Sequence, residues 1–210
     1  MAFDYKKEYK EFYMPKNKPV ILTIPKMNYI AVKGHGNPNE EDGLYKQALK
    51  KLYGIAFTIK MSKKGDNKIN GYFDYVVPPL EGLWFTDDNE PFDYADKDSF
   101  KWISMIRLPD FVTLNDFNWA VKEAESKKKA DFSGVYFLEL EECECIQCMH
   151  IGSYNDEPKT IQKIKEYAAS EGYTIDLDSE RKHHEIYLSD PRRCAPERLK
   201  TVIREPVKKI

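Results

Sequence analysis

The order strand, helix, strand, strand occurs twice along this chain, and both occurrences end on a similar tetrapeptide: Ile106-Arg107-Leu108-Pro109 in the first half and Ile203-Arg204-Glu205-Pro206 in the second. Sheets of this kind keep a hydrophobic face that must be covered, so a duplicated β-α-β-β unit specifies an α+β fold. The expected architecture is two modules with two antiparallel sheets, helices behind them, and concave faces turned toward each other around a central ligand cleft. Within one domain, the first module covers about residues 18–110, a connecting helix and linker 111–134, and the second module 135–210.

The local signals behind this order are of ordinary kinds. "PVILTIP" and "MNYIAVKGHG" are β-rich, and a helix capped by Asn39 follows, with Leu44, Ala48 and Leu52 on one face. "YFDYVV" and "FKWISMIRLP" read as two more strands, separated by "PPLEGLWFTDDNEPFDYADKD", which is too proline-rich and acidic to be regular throughout. Thr113 and Asp116 form a capping-box-like start to a helix with Phe117, Ala120, Val121 and Ala124 on one side, and "ESKKKADFSG" breaks it. In the second half "VYFLELEECECIQCMHIG" is a strand, Pro158 opens a helix carrying Ile161, Ile164 and Ala168, and Gly172 ends it. "HHEIYL" and "KTVIREP" complete the set, and near the N-terminus Tyr5, Tyr9 and Phe12 are spaced as a short amphipathic helix.

A carboxylate stands in the middle of one of these strands. Extended backbone sends His183, Glu185 and Tyr187 to one side and His184, Ile186 and Leu188 to the other. The apolar set is expected against the helices, which leaves Glu185 on the opposite face, in solvent or in the cleft. In the cleft it becomes a counter-ion for a cation or a proton acceptor for water. Glu81 is a second carboxylate, three residues before Trp84. Because Gly82 and the preceding prolines can reset the alternation, parity does not say which of Glu81, Trp84 and Phe85 face inward. Trp102, on the face of Ser104 and Ile106, is a core residue or a cleft wall.

Other chemistries are excluded on simple grounds. Cys143, Cys145 and Cys148, followed by His150, lack the paired C-x2-C knuckles of a zinc site and are split between strand faces, so they read as structural thiols and no metal or cofactor is expected. "GHGNPN" has neither nucleotide-binding spacing, and no nucleophile triad is readable. A formal charge of -2, from 33 basic and 35 acidic residues, draws in no nucleic acid or anionic membrane. Only about 18 residues precede the first strand, too few for a DNA-recognition module. Four cysteines in 210 residues and an N-terminus without an apolar signal core place the protein in a reducing cytoplasm. No apolar run approaches the roughly 20 residues of a spanning helix.

"HEIYLSDP", "MHIGSY" and the β-α-β-β duplication together resemble the GyrI-like small-molecule-binding family, built from SHS2-type modules and found also as the effector domain of multidrug-sensing regulators. "DYKKEYKEFYMPKNKP", "GHGNPN", "LYGIAFTIKMSK", "PPLEGLW" and "WISMIRLPDFV" resemble its stand-alone subgroup, some members of which hydrolyse the cyclopropane of duocarmycin-type DNA alkylators. The resemblance implies that Glu185 faces the pocket; for the ring opening, which needs a base near water and a donor near the oxygen that gains charge, Glu185 is the candidate base, Glu81 a second carboxylate and Tyr187 or Tyr75 the donor. It also implies an aromatic cage, for which Trp84, Trp102, Tyr75, Tyr136 and Tyr187 are the candidates, with His183 beside Glu185 on the ligand side. The expected partner is a hydrophobic polycyclic small molecule, detoxified by ring opening. The alternative is a non-catalytic protein that sequesters hydrophobic or cationic drugs in the same cleft.

Overall fold

A computed structural model describes residues 2–65, 67–86 and 96–210. Residues 87–95, within the expected irregular acidic stretch, lie outside the described residues. The strands are β1 (Val20–Ile24), β2 (Met27–His35), β3 (Leu80–Phe85), β4 (Lys101–Arg107), β5 (Val135–Leu140), β6 (Cys143–Ile151), β7 (Tyr173–Ile175), β8 (His183–Tyr187) and β9 (Lys200–Lys209). The helices are α1 (Tyr5–Glu8), α2 (Lys10–Tyr13), α3 (Leu44–Met61), α4 (Leu114–Lys128) and α5 (Glu157–Ser170). The protein is thus a mixed α+β fold with a large antiparallel sheet.

Eight strands run in the order β1-β6-β9-β8-β3-β4-β2-β5, and β7 pairs with the end of β9. The order is symmetric about the β8–β3 junction, with β6-β9-β8 on one side and β3-β4-β2 on the other. The outermost strands are exchanged: β1 pairs with β6 of the second half, and β5 with β2 of the first. Two separate sheets were expected. Instead β3 and β8 pair from Leu80↔Tyr187 to Trp84↔His183, so the two halves join edge to edge in one sheet.

One face of this sheet carries α3, α4 and α5. Ala48, Leu52, Ile55 and Ile59 of α3 pack with Phe117, Ala120 and Ala124 of α4 over Ile30, Trp102 and Ile106. Ile164 and Ala168 of α5 cover Ile146, Cys148, Ile203 and Val207. The other face is covered over β6, β8 and β9 by α1 and α2, whose Tyr5 and Tyr13 meet Met149, Ile186 and Val202. The helix boundaries follow their sequence signals. Thr113 and Asp116 form the capping box of α4, a proline opens α5, and Gly172 leaves it with φ 77°. The α3 start differs, with Gly43 rather than Asn39 at the N-cap and Leu44 exposed.

The strand expected over residues 72–77 does not form. Tyr75 makes only an isolated bridge to Phe3 and is buried with Tyr5, Tyr72 and Phe111. The strand of that half is β3, inside the stretch read as irregular. Glu81 through Trp84 are buried without interruption, so a central strand covered on both faces shows no alternation to be read. The strand expected from residue 135 to 152 is two strands, turned at Glu141 and Glu142 with Cys143 at φ 57°.

Behind the sheet lies a closed polar cluster. His184 bridges Glu81 at 3.0 Å and Glu142 at 2.9 Å. The Arg204 guanidinium donates to Glu142 at 2.6 Å, to Gln147 at 3.1 and 3.2 Å, and to the Phe12 carbonyl at 3.2 Å. Arg107, its counterpart in the repeated tetrapeptide, lies instead 4.9 and 4.8 Å from the Tyr5 and Tyr9 rings. Burial disfavours the Glu142 charge, but His184 and Arg204 outweigh it and hold the carboxyl at about 2, against an ordinary 4.5.

Two stability outcomes follow. The Trp102 ring lies so close over Gly34 that an added Cβ would fall 2.3 Å from it, so Gly34→Ala should lower stability by roughly 1–3 kcal/mol in denaturant melts. A carboxyl lowered on folding stabilises fully above its unfolded value and loses that stabilisation as pH falls through its folded value. Glu142→Gln should therefore cost about 3 kcal/mol at neutral pH, and the deficit should shrink as pH falls from about 4.5 toward about 2. A deficit independent of pH would show that the cluster is not held by the Glu142 charge.

Candidate functional site

The face opposite this sealed cluster carries the candidate site, at the β3–β8 junction and between the first turns of α3 and α5. Strand pairing sets its floor. Gly82 pairs with Glu185, Trp84 with His183 and Leu80 with Tyr187, so Trp84, His183, Glu185 and Tyr187 emerge together. This is the helix-bearing face, the reverse of the expected orientation. His184 and Ile186 point to the other side because α1 and α2 cover it, and Glu185 points into the gap between the larger helices.

The aromatic groups interlock. The Trp84 indole N–H donates to the Tyr187 hydroxyl at 2.7 Å, and Tyr187 also hydrogen-bonds Glu185. Tyr45, from the first turn of α3, stacks over Trp84 at 5.6 Å and 28° and meets Trp102 edge-on at 5.1 Å. Tyr154, just before α5, lies edge-on to Tyr187 at 6.0 Å, and Phe100 closes against Trp84 at 6.0 Å. Burial first, and then the nearby Glu185 charge, push the hydroxyls of Tyr45, Tyr154 and Tyr187 upward, so all three remain neutral donors at neutral pH.

The acidic groups form a row. Glu205 Oε1 lies 2.6 Å from His183 Nδ1, and His183 Nε2 lies 3.2 Å from Glu185 Oε1. Glu157, from the first residue of α5, is 2 % exposed and hydrogen-bonds Glu185. Burial and then the Glu185 charge raise the Glu157 carboxyl well above the usual range, which favours its protonated form. Glu157, His183 and Glu185 bring one donor atom each within 4.8 Å of one another, a set that suits a divalent cation. His183 links Glu205 to Glu185, while Glu157 Oε1 and Glu205 Oε2 are buried without a hydrogen-bond partner among the described residues. The cysteines form no such group: Cys145 and Cys148 are buried on opposite faces, and Cys143 is exposed.

Of the residues anticipated from sequence, Glu185, His183, Tyr187, Trp84 and Trp102 are brought together. Glu81 is not. It faces the other side of β3, 1 % exposed, held by His184 and by the Tyr13 hydroxyl at 3.3 Å. Tyr136 pairs with Ala31 and lies on that same far face, and Tyr75 belongs to the N-terminal aromatic cluster. Tyr45, Tyr154, Glu157 and Glu205 were not anticipated. A cavity of about 480 Å³ opens elsewhere, against His150, Ser153, Thr160 and Lys163. Volume is a weaker indicator than chemistry here, because that hollow gathers no comparable set of rings and acids.

If the carboxylates are linked by protons, chelator treatment should leave the melting temperature unchanged, and added zinc should not raise it. A zinc-dependent rise would identify a metal centre.

Comparison with known proteins places the chain in a family. Residues 17–208 match the GyrI-like small molecule binding domain. Two solved structures described as hydrolases from Listeria innocua are 44% identical, cover 99% of this chain and 100% of their own, and superpose with TM-scores of 0.89 and 0.91. A third, described as an uncharacterized conserved protein from Listeria innocua, is 45% identical with the same coverage and a TM-score of 0.91. The EcmrR C-terminal domain, 12% identical over 92% of this chain and 98% of its own, superposes with a TM-score of 0.53 and shares the fold alone. No curated protein matches. The chain belongs to the GyrI-like small-molecule-binding family.

Proposed function

We propose that this protein binds a flat, hydrophobic polycyclic molecule and opens a strained cyclopropane in it by adding water, protecting the cell against duocarmycin-type DNA alkylators. The reading takes the two halves, about 18–110 and 135–210, as duplicated SHS2-type modules, and places the activity in the cytoplasm. The observation that carries it is the meeting of two buried carboxyl groups, Glu185 and Glu157, beside a group of aromatic rings. Likeness to structures described as hydrolases supports it.

In a spirocyclopropyl dienone, water oxygen bonds to the ring CH2 carbon and the bond from that carbon to the spiro carbon breaks. The released pair makes the ring aromatic and leaves charge on the former carbonyl oxygen. Glu185 takes the proton lost by water, and the Glu157 carboxyl or the Tyr187 hydroxyl supplies the proton the oxygen gains. The proton gained by Glu185 then passes to whichever of Glu157 and Tyr187 gave one up, so the site ends as it began. The ligand takes the place of Tyr45 over Trp84, each such ring contact adding on the order of 1 kcal/mol.

The same site gives the sequestering alternative an observation of its own: Glu205, His183, Glu185 and neutral Glu157 leave one net negative charge beneath the rings, which suits an organic cation. Incubation with a spirocyclopropyl dienone separates the two readings. Hydrolysis should appear as a mass gain of one water, with tryptophan fluorescence quenched on binding and recovering as product leaves. Glu185→Gln should keep its melting temperature and lose turnover by at least about 100-fold. Persistent quenching without a mass change would favour sequestration, and full activity in Glu185→Gln would remove it from the base role.

A further inference from the structure

Glu205 does not belong to the ring-lined part of the site, yet it is 3 % exposed and spends one oxygen on His183 Nδ1 at 2.6 Å. Among the described residues, charged or titratable groups facing His183 include Glu205 from β9, Glu185 from β8 and Glu157 from α5, while β3 presents Gly82 and Trp84 there. Burial alone would favour a neutral imidazole, but the charges and hydrogen bonds of Glu205 and Glu185 outweigh it and keep His183 protonated well above the ordinary histidine range. The protonation state decides the geometry. A neutral imidazole has one N–H and can donate to only one of its two carboxylates, whereas an imidazolium donates to both.

We propose that Glu205 is a positioning residue: by holding His183 as a donor at both nitrogens, it fixes the Glu185 carboxylate beneath Trp84, Tyr45 and Tyr187. The proposal rests on the hydrolytic reading of this site. With one Glu185 oxygen tied to His183, the carboxylate keeps a set orientation toward Tyr187, Glu157 and the attacking water. A neighbour that fixes the orientation of a reacting group is commonly worth 10–100-fold in activity. Without the Glu205 charge, His183 should lose its proton near neutral pH and release one partner.

The test uses the full chain and Glu205→Gln. Ring-nitrogen NMR of His183 should show imidazolium through neutral pH in the native protein, and titration near or below about 6.5 in the variant. The variant's kcat should fall about 10–100-fold at neutral pH and partly recover below about pH 6, where His183 regains its proton. Its dissociation constant from tryptophan quenching should stay within about twofold, because no ring is disturbed. An unchanged His183 titration would overturn the proposal, as would a loss of kcat that does not depend on pH. Should Glu205→Gln fail to fold, His183→Phe serves instead: it keeps a flat ring but can donate to neither carboxylate and can gain no proton, so the same loss without acid recovery is expected, and native kcat would overturn the proposal. A native protein that leaves the dienone intact defeats the hydrolytic reading, while the nitrogen titration still decides whether Glu205 holds His183 charged.

Discussion

The pairing of β3 with β8 is the constraint on which the rest depends. It joins the two halves into one sheet, and it places Gly82 opposite Glu185 in the middle of that junction. A side chain at position 82 would find no room, since its Cβ would stand 2.8 Å from Trp84 Nε1 and 3.1 Å from the Tyr187 hydroxyl. The absence of that side chain lets the Trp84–Tyr187 hydrogen bond cross the junction directly. Fold closure and site assembly are therefore one event. Shifting the register by a single residue would send Glu185 to the sealed face and bring His184 to the rings.

The helices complete what the strands begin. Each half sends one helix across the same face, α3 after β2 and α5 after β6, and the first turns of both come to the junction. Tyr45 and Glu157 arrive this way, one from each half, as ring cover and acid. The exchanged edge strands restrain the halves further, because each outer strand belongs by sequence to one half and by pairing to the other. A site at such a junction is shaped by both halves and belongs to neither.

This geometry explains what was legible in the sequence. The symmetric element order, the α4 and α5 boundaries and the shared face of His183, Glu185 and Tyr187 came from local signals: repeats, caps and period-two alternation. What failed was non-local. Glu81 through Trp84 lie in a stretch whose prolines and acids read as irregular, and a strand buried on both faces shows no alternation that would have corrected that reading or given Glu81 a side. Residues 72–77 are rich in aromatic and β-branched side chains without being a strand, since Tyr75 is taken up by aromatic packing. Glu185 was assigned away from the helices because two small helices near the N-terminus, rather than α3 or α5, take up Ile186. Tyr45, Tyr154 and Glu157 sit at helix starts, and only the topology brings those starts together. One local sign was present: Glu157 immediately precedes the proline that opens α5.

Consecutive residues His183 and His184 carry the strongest physical contrast in the molecule. Each lies between two glutamates, and because they are neighbours on a strand they serve opposite faces. On the far face His184 bridges Glu81 and Glu142, Arg204 donates to Glu142, and α2 adds the Tyr13 hydroxyl and the Phe12 carbonyl. Charge is matched and donors are used, so that cluster has the character of a structural bolt. On the near face, among the described residues, Glu205 and Glu185 share His183, and the Glu157 carboxyl beside them is raised toward its protonated form. An arrangement compensated by a movable proton in place of a fixed guanidinium is poor architecture for stability and suitable architecture for acid–base chemistry. The difference between a clamp and a site here lies less in the histidines, which are alike, than in the arginine that one face has and the other lacks.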